Sequence, residues 1–292
     1  MAVDLTTSHD AEVGGLPVRR ALPRRGRRTV GAWCFLDHFG PVDGDQADAM
    51  QVGPHPHIGL QTVTWLLDGE VLHTDSVGSE QVIRPGQLNL MTAGRGVAHA
   101  ESSQSGGRGC HGIQLWVAQP EATRHGEPAF EHHPELPKVE LGTLEATVLS
   151  GSLHGTASPA RHDTPLVGAD LALETGVGLV PLEPTWEHAL VVAYGSIEVD
   201  GTPVRPGSLA YLGDGRDELA IRATGPARVL LIGGAPFESE IVMWWNFVAR
   251  SRDEVTEARA DWEAHGARFA DVRTPLDRIS APTTPWPEPT IL

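Results

Sequence analysis

The chain of 292 residues holds only two cysteines, Cys34 and Cys110, and they form no CxxC pair. Neither a disulfide framework nor a cysteine-type zinc site is supported. Positive charge is also short, with 22 Lys and Arg against 38 Asp and Glu and a formal charge of −16. So acidic a chain repels a phosphate backbone, which argues against charge-driven DNA binding. No apolar run approaches the ~18 residues needed to span a bilayer. The opening MAVDLTTSHD lacks the basic and then apolar layout of a secretory leader. A soluble, cytoplasmic protein is the expectation. No P-loop and no GxSxG occur. Gly107, Gly109 and Gly112 match GxGxxG by letters. The strand-like IQLWV follows them where a dinucleotide site needs a helix.

Turn-forming residues, by contrast, are plentiful. The 33 Gly and 23 Pro separate short apolar runs, the pattern of many short strands joined by turns. HIGLQTVTWLL (57–67) and GCHGIQLWVAQP (109–120) read as strands. Residues 120–140, rich in Pro, His and Glu, read as a connector, and short strands return over 144–234. RDEVTEARADWEAHGARFA (252–270) has helix chemistry, with Ser251 as N-cap and Asp253 and Glu254 in the first turn. The closing APTTPWPEPTIL is too rich in proline for regular structure. Six arginines in VRRALPRRGRR (Arg19, Arg20, Arg24, Arg25, Arg27, Arg28) read as a solvated segment balancing the acidic remainder.

The chain also echoes itself. RPGQLNLMTAG (84–94) returns 121 residues later as RPGSLAYLGDG (205–215), sharing Arg, Pro, Gly, Leu and the final Gly. Upstream of each lies a strand ending in a glycine turn, at Gly69 and Gly195. The expected fold is therefore all-β, a duplicated β-barrel. Its expected parts are an N-terminal barrel over 1–130, a connector over 131–143, a second barrel over 144–235, and a helix with a Pro-rich tail over 236–292.

Against this background GPHPHIG is unusual, because side chains at i and i+2 of a strand share a face. His55 and His57 can reach one point inside a barrel, and His99 and Glu101 in GVAHAES repeat the spacing. Together they offer three imidazoles and a carboxylate, with open positions left on an octahedral ion. Nitrogen donors suit Fe(II), Ni, Co, Cu or Mn better than Ca or Mg. Zn is a further alternative. Alternation along an unbroken strand would put Gln61, Val63 and Trp65 on the same face, as the lining of a substrate pocket, with Trp65 reading equally well as core. His132, His133 and Glu135 sit in the connector and are discounted. His111 could line a pocket or be core.

GPHPHIGLQTVTWLLDGEVLHTDSVG followed by IRPGQLNLMTAGRGVAHAES resembles the pirin family of the cupin superfamily. FLDHFGP (35–41) and HGIQLWVAQP (111–120) resemble that family's flanking segments. The likeness is densest over about 20–120. It implies a bicupin of two jelly-roll barrels, the first holding one metal, usually iron, through His55, His57, His99 and Glu101. Many cupins place a glutamate ligand shortly after HxH; here Gln61 or Thr62 stands there, and the carboxylate is Glu101. Superposing Gly195 on Gly69 sets Pro181 and Glu183 at the HxH positions. Superposing the RPG turns sets Ala220 and Arg222 at the HAE positions, so the second barrel keeps no ligand set. His188, alone, reads as a satisfied polar group.

Resemblance to quercetinases implies an Fe(II) dioxygenase that opens a flavonol such as quercetin with O2. Glu101 would then serve as ligand and catalytic base, and a small aromatic molecule and O2 would be the reactants. The alternative implied by the same family is an iron-binding regulator that works by contact with a transcription factor or a metabolic enzyme, that is, with a protein partner and not with nucleic acid or membrane.

Overall fold

Two barrels of the same design lie back to back in the structure, a computed structural model that describes residues 3–42, 50–104, 106 and 109–286. Gly107 of the GxGxxG look-alike and residues 287–292 of the tail lie outside the described residues. In the first barrel a four-stranded sheet runs in the order Gln51–His57, Val97–Ser103, Val71–Asp75, Glu80–Ile83. The second repeats it with Gly176–Pro181, Glu218–Ala223, Ile197–Val199 and Thr202–Val204. Each barrel is completed by a larger antiparallel sheet. The first is centred on Leu60–Asp68, Cys110–Ala118 and Trp33–Val42, and the second on Glu187–Tyr194, Ala227–Gly234 and Leu166–Leu173. This is the duplicated, all-β bicupin architecture.

The chain ends cross over between the barrels. Asp4–Thr7 adds an edge strand to the second barrel beside Ser208–Gly213. Residues 120–140, which read as a plain connector, contain two strands. Ala129–His133 pairs with Leu88–Thr92 of the first barrel, and Lys138–Leu141 with Leu144–Leu153 of the second. Their prolines lie outside the paired stretches, so the ladders are not interrupted.

The two larger sheets pack through one apolar layer. Val63, Trp65, Leu88, Ile113 and Leu115 of the first meet Leu166, Ala189, Val191, Leu230 and Ile232 of the second. Trp33 pins this layer. Its indole N–H is shared between the carbonyls of Val167 and Gly233, both at 3.1 Å, and its ring lies flush against Gly168. A Cβ on Gly168 would sit 2.7 Å from that ring, so the close approach needs glycine.

Equivalent pairings show what became of the second barrel. Val71 faces Ser103 in the first as Ile197 faces Ala223 in the second, and His99 faces His55 as Leu219 faces Val180. The counterparts of His55, His57, His99 and Glu101 are thus Val180, Leu182, Leu219 and Ile221, all buried in one aliphatic core. The sequence register, which gave Pro181, Glu183, Ala220 and Arg222, is off by one residue on both strands. Glycine and RPG turns fix where a strand starts, but loop lengths between them differ, and one residue reverses the facing. The second barrel has no ligand set in either register.

After the barrels, Val242–Trp244 and Phe247–Ala249 form a small hairpin that joins the first barrel through Ile58 and Phe247. The helix follows as Arg252–Glu263, with the Ser251 hydroxyl accepting the Glu254 N–H at 3.2 Å. It stops short of 270 because His265 turns left-handed (φ 53°) ahead of Gly266, whose N–H bonds back to Asp261.

Because Trp33 fills the interface and satisfies two carbonyls at once, Trp33→Ala should destabilise the protein by about 3–5 kcal/mol. Chemical denaturation read by circular dichroism would measure it. A loss below about 1 kcal/mol would mean the barrels are held elsewhere.

Candidate metal centre

Gln51–His57 and Val97–Ser103 run antiparallel, with His55 opposite His99 and His57 opposite Val97. The register slips between His99 and Glu101, so that Glu101 faces Val52. Gly53, in that irregular stretch, has no room for a side chain, since a Cβ would lie 1.8 Å from the Asp277 carbonyl oxygen of the C-terminal segment. His55, His57, His99 and Glu101 are all buried and turned into the barrel interior.

The imidazoles converge. Ring centroids of His55 and His99 are 4.3 Å apart, and those of His57 and His99 4.9 Å. His57 Nε2 and His99 Nε2 stand 3.0 Å apart. Outward nitrogens are tied down: His55 Nδ1 donates to the Gly53 carbonyl (2.9 Å) and His57 Nδ1 to the Asn246 carbonyl (3.0 Å). Such bonds fix the tautomer and leave Nε2 as a lone pair. With its proton on Nε2, His99 donates to His57; with the proton on Nδ1, two lone pairs face each other at 3.0 Å and repel unless a cation lies between them. Donor atoms form two overlapping triads, His55–His57–His99 and His73–His99–Glu101, each able to hold an ion. The donor set fits one divalent first-row metal.

Burial sets the charge of these groups. It lowers His55 to about 4 and takes His57 and His99 well below the ordinary histidine value, with neighbouring imidazoles adding to the effect. They are therefore neutral near pH 7, the form that ligates metal. Burial raises Glu101, against the pull of His73. Its carboxylate holds a proton more readily than a free one.

The donors open onto a cavity of about 480 Å3. Leu16, Val18, Phe35, Phe39 and Trp116 give it apolar walls, and Thr64, Gln114 and the Arg20–Asp37 pair supply polar points. Arg20 holds Asp37 through two bonds of 2.8 and 2.6 Å. This arginine belongs to the cluster read as a solvated segment, and its place in the wall corrects that reading. Strand alternation turns it inward.

The pocket lining inferred from alternation is also corrected. Val63 and Trp65 face away from the cavity into the layer between barrels, where Trp65 Nε1 donates to Asp170 Oδ2 at 2.7 Å. Gln61 bonds the Thr92 hydroxyl and the Arg161 carbonyl. Ile58 and Gly59 (φ 65°) break the strand, so parity does not carry across, and Thr64 lines the cavity instead. His132 and His133 are bound to Asn89 and Glu131 and join no cluster. His111 pairs with His38, Nε2 to Nε2 at 2.8 Å, and does not line the cavity. His188 is buried in the second barrel.

Sequence reasoning missed His73, Asp75, Trp245 and Asn246. His73 and Asp75 carry the same i, i+2 signal in LHTD as the other pairs. Asn246 acts through its backbone carbonyl from 189 residues away, which leaves no local trace.

The Pirin family model matches residues 15–117, and the Pirin C-terminal cupin domain matches 168–269. The chain belongs to the pirin family. A Pseudomonas aeruginosa protein named "Putative quercetin 2,3-dioxygenase PA1205" is 50% identical over 96% of this chain and 90% of its own length. A crystal structure of quercetin 2,3-dioxygenase from Acinetobacter baumannii superposes with a TM-score of 0.94 at 44% identity, covering 98% of this chain and 97% of that one. A pirin-like protein of Caulobacter vibrioides is 38% identical over 89% of this chain and 93% of its own. As a pirin, the chain carries its buried donors in the first of two barrels. No helix among the described residues is long and apolar enough to cross a membrane.

Acid should unfold the metal-free pirin early. Burial holds His38 at about 3 and His55 and His111 at about 4, so each is neutral when folded and gains a proton near 6.5 when unfolded. The unfolded state binds more protons below that value. Stability is therefore complete above pH 6.5 and falls as pH drops toward 4, each histidine contributing up to about 1.4 kcal/mol per pH unit. Denaturant titrations at pH 7.5, 6 and 5 with chelator present would show this; a flat profile would contradict it.

Proposed function

We propose that this pirin is a metal-dependent dioxygenase of flavonols such as quercetin, with Fe(II) as its metal. One observation carries the reading. The buried donors open directly onto a cavity with aromatic walls, roomy enough for a planar polyphenol. Names of the Pseudomonas and Acinetobacter relatives point to the same chemistry.

A divalent first-row ion held by His55, His57, His99 and Glu101 would supply Lewis acidity and open coordination positions for small oxygen ligands. The chain's own residues do the rest. Phe35, Phe39 and Trp116 wall the aromatic rings and keep water out, while Arg20, Thr64 and Gln114 offer hydrogen bonds to ring hydroxyls. Glu101 takes the proton of the flavonol 3-hydroxyl. Its carboxyl is raised by burial, which makes it a better base than a solvated glutamate. The flavonol anion then reacts with O2, the central ring opens, and carbon monoxide leaves.

Protein loaded anaerobically with one equivalent of Fe(II) and then given quercetin in air should consume the flavonol with release of carbon monoxide. Glu101→Ala should lower the rate by at least the roughly 10²–10⁴-fold of a lost general base. His57→Ala should lose both metal and turnover. Tight metal binding with no flavonol consumed would sink the dioxygenase reading and favour the iron-binding regulator.

A further inference from the structure

His55 and His57 each have the outward nitrogen fixed by a backbone carbonyl, but no carbonyl meets His99. Its Nδ1 faces His73 Nδ1 at 3.4 Å instead. Behind it, His73 Nε2 lies 3.0 Å from Asp75 Oδ2. The other oxygen, Oδ1, accepts the backbone N–H groups of Val77 (3.0 Å) and Ser79 (2.9 Å), which lock the carboxylate in a tight turn. All three side chains are buried, and the His73 ring stacks on Phe130 with centroids 4.5 Å apart.

With His73 neutral, the direction of every hydrogen bond in this row follows from Asp75. A carboxylate only accepts, so His73 Nε2 carries the proton. In the neutral ring Nδ1 is then a lone pair, and it accepts from His99 Nδ1–H. His99 Nε2 is left bare, aimed at the same point as His57 Nε2. We infer that Asp75 and His73 are positioning residues for the metal: a carboxylate–imidazole relay that imposes the ligating tautomer on His99. The same device with a single intervening group, carboxylate to ligand histidine, is general in metal sites. Here it is longer by one imidazole. His73 is thus an orienting group and not a fifth ligand, although its position near His99 and Glu101 would allow the latter.

Asp75→Asn gives a sharp test, because the turn dictates which way the amide faces. Val77 and Ser79 N–H need an oxygen, so the Asn NH2 must point at His73. His73 Nε2 then accepts, its Nδ1 becomes the donor, and His99 is driven to carry its proton on Nε2. A wrong tautomer enforced by an Asp-to-Asn change is a known way to disable a histidine while keeping its geometry. His73→Phe is the second variant, since it keeps the stack on Phe130 and removes the acceptor.

The probe is Co(II), titrated into metal-free full-length protein in competition with a chromophoric chelator. Nitrogen-15 NMR of the metal-free protein reads the histidine tautomers. Wild type should bind one equivalent and show His99 protonated at Nδ1. Both variants should bind Co(II) roughly 10–100-fold more weakly, with melting temperatures of the metal-free proteins close to wild type. His99 should switch to the Nε2–H form in Asp75→Asn. Unchanged affinity in both variants overturns the inference, and so does an Asp75→Asn protein whose His99 tautomer has not moved, the result expected of His73 as ligand. The inference rests on the metal reading of the cluster but not on the flavonol reaction. Weakened Co(II) binding without quercetin turnover upholds the relay and removes only the dioxygenase. Wild type that binds no Co(II) overturns the relay.

Discussion

Three imidazoles and a carboxylate are buried within one barrel, and their tautomers decide what they can bind. With the His99 proton on Nδ1, His57 and His99 turn lone pairs toward the same point at 3.0 Å, and a cation held by both converts that repulsion into attraction. The surrounding structure keeps the arrangement from relaxing. Gly53 and Asn246 carbonyls hold two rings from behind, and the row of His73 and Asp75 backs the third. Rotating any ring by half a turn would break a buried hydrogen bond, at a cost of about 1–3 kcal/mol. The site is thus preorganised, and metal binding need not be charged with ordering it.

Comparison of the two barrels shows how much that arrangement costs. They share strand order, glycine turns and back-to-back packing, yet Val180, Leu182, Leu219 and Ile221 occupy the second where the donors occupy the first. Burying an aliphatic side chain contributes about 1.5–3 kcal/mol, whereas an unpaired buried carboxylate works against folding. The second barrel fills those positions with aliphatic side chains, and the first keeps them for polar donors. Trp33 and Trp65 couple them: each stands in the first barrel and bonds to a backbone carbonyl or a carboxylate of the second.

Much of this was legible in the sequence, and the limits have physical causes. The HPH and HAE pairs could be read because i and i+2 share a face on any strand, whatever its neighbours do. The repeat around RPG gave the duplication because turns demand particular residues. Parity failed where it had to cross a break: Gly59 separates His57 from Leu60, so Gln61, Val63 and Trp65 were assigned to the wrong face. It failed again by one residue in the second barrel, where loop length is not conserved between the repeats. Arg20 was hidden in a charge run whose average suggested solvent, although alternation within that run turns single members inward. Asn246 could not be found at all, since a backbone carbonyl has no letter.

The cavity is also less local than the motif suggests. Glu12, Val13 and Gly14 reach its rim from the first hairpin, and Trp245, Asn246 and Ile279 reach it from the far end of the chain. Ile279 is held by the Pro54 carbonyl next to His55, while its own carbonyl accepts the indole N–H of Trp262 on the closing helix. Trp245 adopts a left-handed backbone (φ 51°), an uncommon and strained state for a bulky residue. That turn brings the Asn246 carbonyl onto His57 and sets Trp245 in the lining of the cavity. Strain of this kind persists only where surrounding structure over-determines it, and here the hairpin is fixed by Val248 N–H on the Ile58 carbonyl at 3.1 Å. One ligand histidine is therefore oriented by residues that follow both barrels in the sequence. The geometry of the metal site depends on the C-terminal hairpin being docked against the first barrel, not on the HPH and HAE strands alone.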